Sequence, residues 1–153
     1  EILSKWILNI GSNFWFESLV LMFQKEVADR IISEFNNSKY GRLSILSSWK
    51  LNVKKIIDIK PKSFSPRPKI DSSLLLFTPK ENFFELKDPK NLEKITRIFF
   101  SQRRKMLKKP FNQVFANGKQ IAEKFGIDLN LRPQNLEPET YFKLVKEYED
   151  LRS

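Results

Sequence analysis

Two prolines one residue apart, Pro66 and Pro68, stand between an aromatic and an apolar run and constrain the path of the chain there. Each ring fixes its own φ and restricts the residue before it. The stretch Ser63-Phe64-Ser65-Pro66-Arg67-Pro68-Lys69-Ile70-Asp71-Ser72 therefore reads as a stiff extended loop with few donors of its own. It leads into Leu74-Leu75-Leu76-Phe77, a strand, and holds Phe64 in one place before that strand begins. A fixed aromatic beside Arg67 and Lys69 suits the stacking of an unpaired base while cations hold its phosphates. The same pattern fits a rigid β-connection with Phe64 buried, and the residues alone leave both open.

What chemistry the rest can support is narrowed by two absences. The 153 residues include no Cys and no His. Disulfides, thiolate metal sites, His general bases and most zinc sites are thereby excluded. Catalysis by such a chain has to rest on carboxylate, Lys, Tyr, backbone groups or a cofactor. With 41% hydrophobic residues and 14 Phe it can bury a core, as one domain or two small ones. No apolar run approaches the ~20 residues of a membrane-spanning helix.

The net charge is +10 and unevenly spread. Residues 50–69 carry seven cations and one anion, and residues 86–109 carry nine cations and two anions. Those two segments exceed the whole-chain charge, so the remainder is mildly acidic. Compact basic segments interleaved with aromatic and proline features suggest a polyanion partner, nucleic acid first. Two solvated faces are the plainer alternative.

Apolar spacing organises the chain. Ile2, Leu3, Trp6, Ile7 and Ile10 recur at helical spacing. Leu19-Val20-Leu21-Met22-Phe23 is a continuous run, as in a parallel-sheet strand buried on both faces. Helical period returns over 24–35 through Val27, Ile31 and Phe35, and a short helix is expected over 41–50. Residues 53–59 and 72–78 read as strands flanking the proline loop. Beyond Pro79 the texture is helical. A basic helix is expected over 91–109, with Leu92, Ile95, Phe99 and Met106 inward. A short helix follows over 119–125, stopped by Gly126. A last helix from Pro138 would bury Tyr141, Leu144, Val145, Tyr148 and Leu151. The expected class is α/β, with residues 1–80 as a sheet-bearing part and 81–153 as a small all-helical domain.

Four segments in this order resemble the ribosomal RNA adenine dimethyltransferases. Leu21-Met22-Phe23-Gln24-Lys25-Glu26-Val27-Ala28-Asp29-Arg30 is similar to their strand-plus-helix segment, and Tyr40-Gly41-Arg42-Leu43-Ser44 to the one that follows. Phe64-x-Pro-x-Pro-Lys-Ile-x-Ser resembles their late motif before the last strand. Phe100-x-x-Arg103-Arg104-Lys105-x-Leu107 resembles the basic helix of their C-terminal domain. The first three are shared with the antibiotic-resistance Erm enzymes; the fourth is nearer the bacterial small-subunit, KsgA-type branch. The resemblance implies the back half of a Rossmann-like methyltransferase sheet followed by a helical rRNA-recognition domain. It implies S-adenosylmethionine-dependent N6-dimethylation of two adjacent adenines in small-subunit ribosomal RNA, by a cytoplasmic enzyme of ribosome biogenesis that needs no membrane or metal. Its partner would be that RNA or the immature small subunit.

The family's glycine-rich cofactor loop and its Asn-Leu-Pro-Tyr motif have no counterpart here. Gly11, Gly41, Gly118 and Gly126 are the only glycines, and none forms Gly-x-Gly. The expectation is a C-terminal portion, inactive alone, whose catalytic and cofactor residues lie upstream of Glu1. A further chain contact would then cover the incomplete sheet edge. The resemblance gives Phe64 the role of stacking the extruded base. Arg67, Lys69, Arg103, Arg104, Lys105, Lys108 and Lys109 are the candidate RNA-binding residues. Consecutive cations on a helix point ~100° apart. One of Arg103, Arg104 and Lys105 is thus expected to bind an acid within the domain while two face outward. A binding-only ribosome-assembly relative and a generic basic DNA-binding protein remain as alternatives.

Overall fold

Among the described residues a single antiparallel sheet and seven α-helices carry the apolar patterning into two adjoining cores. The computed structural model describes residues 2–10, 14–63, 65–66 and 69–153. In chain order the elements are α1 (Ile2–Asn9), β1 (Leu19–Gln24), α2 (Lys25–Ile32), α3 (Arg42–Lys50), β2 (Leu51–Ile59) and β3 (Ser72–Pro79). The helices α4 (Pro89–Phe100), α5 (Lys108–Val114), α6 (Gly118–Lys124) and α7 (Pro138–Leu151) follow. The strand order is β1-β3-β2. Strand β3 runs antiparallel to both neighbours, with Met22 opposite Leu74 and Val53 opposite Phe77. Strands β1 and β2 therefore run the same way, joined by α2 and α3. The α/β class expected from the sequence is the one adopted.

Strand β1 departs from the expectation of a strand buried on both faces within a parallel sheet. Its neighbour β3 is antiparallel, and its residues alternate, with Val20 49% and Met22 52% exposed while Leu19, Leu21 and Phe23 turn inward. A period-2 pleat sends alternate side chains to opposite faces whatever their polarity. Among the described residues no strand pairs with the other edge of β1. An unpaired apolar edge recruits strands. The isolated 153-residue chain is therefore expected to self-associate, with sedimentation coefficients rising with concentration and amides 19–23 weakly protected at high dilution. A concentration-independent monomer with strong protection there would count against it.

The expected single helix over 91–109 is two. Helix α4 stops at Phe100, residues 101–105 form turns, and α5 begins at Lys108. Pro110 supplies the reason: its ring would clash with the carbonyl four residues back in a continuous helix, but is tolerated in a first turn. The restart shifts the helical phase, so Met106 is 56% exposed and Leu107 is buried in its place. The three consecutive cations accordingly sit in a turn, not on a helix. Leu151, expected inside, lies 55% exposed in the last turn of α7, whereas Tyr141, Leu144, Val145 and Tyr148 are buried as expected. Gly126 ends the α6 segment at a φ of 65°, a conformation that favours glycine.

The sheet core gathers Ile7, Ile10, Ala28, Ile31, Leu51, Leu75 and Phe77. The second core unites Leu92, Ile95, Phe99, Phe111, Tyr141, Leu144 and Val145 with Tyr40, Ile45, Leu46 and Trp49. Helix α3 and the residue preceding its N-cap thus belong to the core of the helical segment as well as to the first 80 residues. Two long-range bonds fix this contact: the Tyr40 hydroxyl donates to the Leu136 carbonyl at 2.7 Å, and Trp49 Nε1 donates to the Phe84 carbonyl at 2.7 Å. The Lys50 ammonium, 4.3 Å from the Trp49 ring centre, donates to the carbonyl of Ile10 at the end of α1. Burial lowers its pKa.

Candidate nucleic-acid interface

The proline loop is held at its roots. The backbone N–H of Lys25 donates to the Asp71 carbonyl at 2.9 Å, which ties the loop's end to the start of α2. Ser73 Oγ donates to Asp58 Oδ1 at 2.6 Å and Lys55 Nζ to Asp58 Oδ2 at 3.1 Å. These bonds, that from Ser73 first, hold the Asp58 carboxyl below its usual pKa. Lys25 Nζ and Lys39 Nζ share Asp29 Oδ2, each at 3.1 Å. Burial works to raise the Asp29 pKa, but the two lysines prevail and it is lowered. The hydrogen bond to Asp29 raises the pKa of Lys25, an exposed group. Both strands and α2 therefore converge on the loop. Phe64 and Arg67, singled out in the sequence, lie outside the described residues. Lys69 is described and exposed, next to Ile70, itself 49% exposed.

Downstream, the broken helix makes a basic groove. Lys105, Lys108 and Lys109 line a shallow cavity of about 610 Å³ together with Gln102, Met106, Asn112 and Gln113. The turn after α4 and the first turns of α5 bring these side chains to one place. Arg104 is exposed beside them. Gly118, which opens α6, is required by the same packing: a Cβ there would lie 2.9 Å from Asn112 Oδ1 and 3.0 Å from the Phe111 carbonyl.

Arg103 turns the other way. Its Nη2 donates to the Tyr40 carbonyl at 2.8 Å and to Gln134 Oε1 at 3.2 Å, and its guanidinium carbon lies 5.9 Å from the Phe100 ring centre. One of the three cations is thus engaged within the chain, as expected, though its partners are a carbonyl and an amide, not an acid. Arg103 also borders a cleft of about 470 Å³ with Glu26, Arg30, Lys39, Gly41 and Arg42. The sequence reading missed these three further cations. They are dispersed among acids, and each has one: Arg30 pairs with Glu26 at 2.9 Å, Lys39 with Asp29, and Arg42 with Glu93 at 3.8 Å. Arg42 Nε is buried without a hydrogen-bond partner among the described residues. The only available signal was that Arg30 and Arg42 fall within the two matched segments.

Taken together, the described surface offers exposed amines, guanidinium groups and amides around open grooves, group types suited to phosphates and base edges. Among the described residues no group of three or more Asp or Glu residues could hold a metal ion, and no helix is long and apolar enough to cross a membrane.

The family model described as "Ribosomal RNA adenine dimethylase" matches residues 1–150. The chain is 93% identical over 152 residues to the ribosomal RNA small subunit methyltransferase A of Pelagibacter ubique (strain HTCC1062), covering 99% of this chain and 58% of that protein. To the protein of the same name from Ehrlichia ruminantium (strain Gardel) it is 46% identical over 137 residues, 88% of this chain and 50% of that one. Among solved structures, a dimethyladenosine transferase from Plasmodium falciparum superposes with a TM-score of 0.71 at 28% identity, covering 88% of this chain and 58% of that one. The 23S rRNA methyltransferase ErmE shares the fold, with a TM-score of 0.61 at 16% identity over 97% of this chain and 59% of that one. The chain spans between half and three-fifths of the length of these four relatives.

Proposed function

Because the chain belongs to the ribosomal RNA adenine dimethylase family, we propose that the full-length protein methylates N6 of two adjacent adenines in small-subunit ribosomal RNA, using S-adenosylmethionine. The observation that carries this reading is the family match over residues 1–150, joined to the 93% identity with a small-subunit methyltransferase. On this reading the protein is a cytoplasmic enzyme of ribosome biogenesis and its partner is the RNA of the immature small subunit.

The described residues do not fit the cofactor. Ligands of α/β sheets sit beyond the carboxyl ends of strands, where glycines let a backbone come close. Gly41, Gly118 and Gly126 stand instead at helix ends. Strand β1 runs directly into Lys25, whose ammonium is held by Asp29. Cofactor and catalytic groups are accordingly assigned to the part of the relatives' length that this chain does not span. The 153-residue chain alone is expected to give no saturable calorimetric signal with S-adenosylmethionine in the micromolar range; a titratable site there would refute the assignment.

What this chain supplies is RNA binding and orientation. A target base has to leave its stack before its amino group can react. Phe64 is assigned to hold the extruded ring, with Arg67 and Lys69 on flanking phosphates. Arg104, Lys105, Lys108 and Lys109 bind the RNA backbone at the second groove. Replacing Arg104, Lys108 and Lys109 by Gln is expected to lower the salt slope of rRNA binding by about 2–3 through lost counterion release. An unchanged slope in the triple variant would remove that groove from the interface. Transfer of labelled methyl groups to undermethylated small subunits by the full-length protein tests the whole reading. Tight binding without transfer would favour the ribosome-assembly alternative.

A further inference from the structure

We propose that Arg103 is a positioning residue, which locks the basic turn onto the sheet-bearing part of the chain and leaves phosphate contact to its neighbours. The inference rests on the RNA-binding reading above and refines it.

Two short bonds and one long one define the role. Nη2 donates to the carbonyl of Tyr40 at 2.8 Å and to Gln134 Oε1 at 3.2 Å, with the carbonyl of Asn37 at 3.5 Å. The acceptors come from two segments far apart in sequence, 37–40 and 134. Arg103 itself follows the end of α4 and lies over Phe100. Those segments are already joined: the buried Tyr40 donates to the Leu136 carbonyl, and the Tyr141 hydroxyl donates to the Pro133 carbonyl at 2.6 Å. Arg103 closes this set from the side that carries the basic turn. A guanidinium spans several fixed acceptors where an ammonium acts as a point charge. Because Nη2 is committed and the side chain is half-buried, its fork is not free for the bidentate phosphate contact that arginine makes best.

The next residues differ. Arg104 and Lys105 are exposed, and neither side chain has a hydrogen bond or ion pair among the described residues. Lys105 lines the groove that Lys108 and Lys109 share. Adjacent arginines in one motif thus have separate tasks. Arg104 contributes charge to the RNA. Arg103 sets where that charge stands relative to the loop bearing Phe64.

Salt dependence separates the two. Binding of the chain to a small-subunit rRNA fragment is measured across ionic strength for Arg103→Gln, Arg103→Lys, Arg104→Gln and Gln134→Ala, with thermal melts as a folding control. Arg104→Gln should make the slope of log K against log salt shallower by about 0.9. Arg103→Gln should weaken binding about tenfold at every salt concentration with the slope unchanged, and Arg103→Lys should not restore affinity. Gln134→Ala, a milder change that keeps the fold, should weaken binding in the same sense, and combining it with Arg103→Gln should cost nothing further. A slope lowered by Arg103→Gln as much as by Arg104→Gln, full rescue by lysine, or additive losses with Gln134→Ala would each overturn the proposal. If the unsubstituted chain shows no salt-dependent RNA binding, the RNA reading itself fails and takes this inference with it.

Discussion

Replacing Glu149 with Ala is expected to destabilise the chain by about 3 kcal/mol, because it removes three part-buried hydrogen bonds to a carboxylate, each worth about 1 kcal/mol. Glu149 is 5% exposed on α7. Its carboxylate accepts from the backbone N–H of Lys87 at 2.8 Å, from that of Asp88 at 2.9 Å, and from Asn91 Nδ2 at 2.7 Å. Two of these donors precede α4, whose N-cap Asp88 in turn accepts from the Lys90 N–H. One side chain thus seats the start of α4 on α7, and three donors lose their acceptor together. A loss of that size lowers the midpoint of thermal unfolding by about 6–12 °C for a chain of this length. Glu149→Gln keeps the shape but turns one acceptor into a donor facing an N–H, so it should fall between. A melting point for Glu149→Ala within a degree or two of the parent would show that the pocket rehydrates at little cost.

Phe64→Ala in the full-length protein is expected to slow methyl transfer by roughly tenfold to a hundredfold, since a base–aromatic stack is worth about 1–3 kcal/mol. RNA affinity should change less than threefold, because on the proposed reading most of it comes from phosphate contacts that the substitution leaves in place. The roots of the loop explain why the effect should be local. Asp71 is pinned to Lys25, and Ser73 to Asp58, whatever stands at position 64. Single-turnover transfer and equilibrium binding, measured side by side, check it. Equal losses in both would assign Phe64 to the architecture of the loop, the alternative the sequence left open.

Periodicity made most of the helices readable. Helices α2, α6 and α7 fall where 3.6-residue spacing puts them, because an amphipathic stripe is written into consecutive residues; α3 lies where expected too, but with apolar contacts on both sides. Strand β1 was not readable to the same depth. Leu19 to Phe23 is apolar on both faces, and nothing local tells a strand buried on two sides from an edge strand with Val20 and Met22 outward. The join of α4 and α5 is signalled in the sequence by Pro110, but a run of cations around it has the composition of a continuous basic helix. The groove of Lys105, Lys108 and Lys109 was legible from charge density alone. The inward turn of Arg103 was not, because its acceptors lie 63 and 31 residues away. Arg30, Lys39 and Arg42 escaped because each is interleaved with its counter-ion.

Helix α3 sets a rule for exchanging parts between relatives. Ile45, Leu46 and Trp49 fill the core of the helical segment, while Leu43 packs against the core of the sheet. A crossover at residue 80 would pair one parent's α4 and α7 with another parent's Trp49 and Tyr40, and each misfit in a close-packed interior typically costs about 1–3 kcal/mol. A crossover near residue 39 moves the aromatic floor and its helices as a unit, but it parts Ala28 and Ile31 from Leu51, Leu75 and Phe77 and so divides the sheet core instead. Either cut divides one of the two cores, so the unit that exchanges intact is the sheet and the helices together, and hybrids that keep both from one parent should fold where either single graft does not.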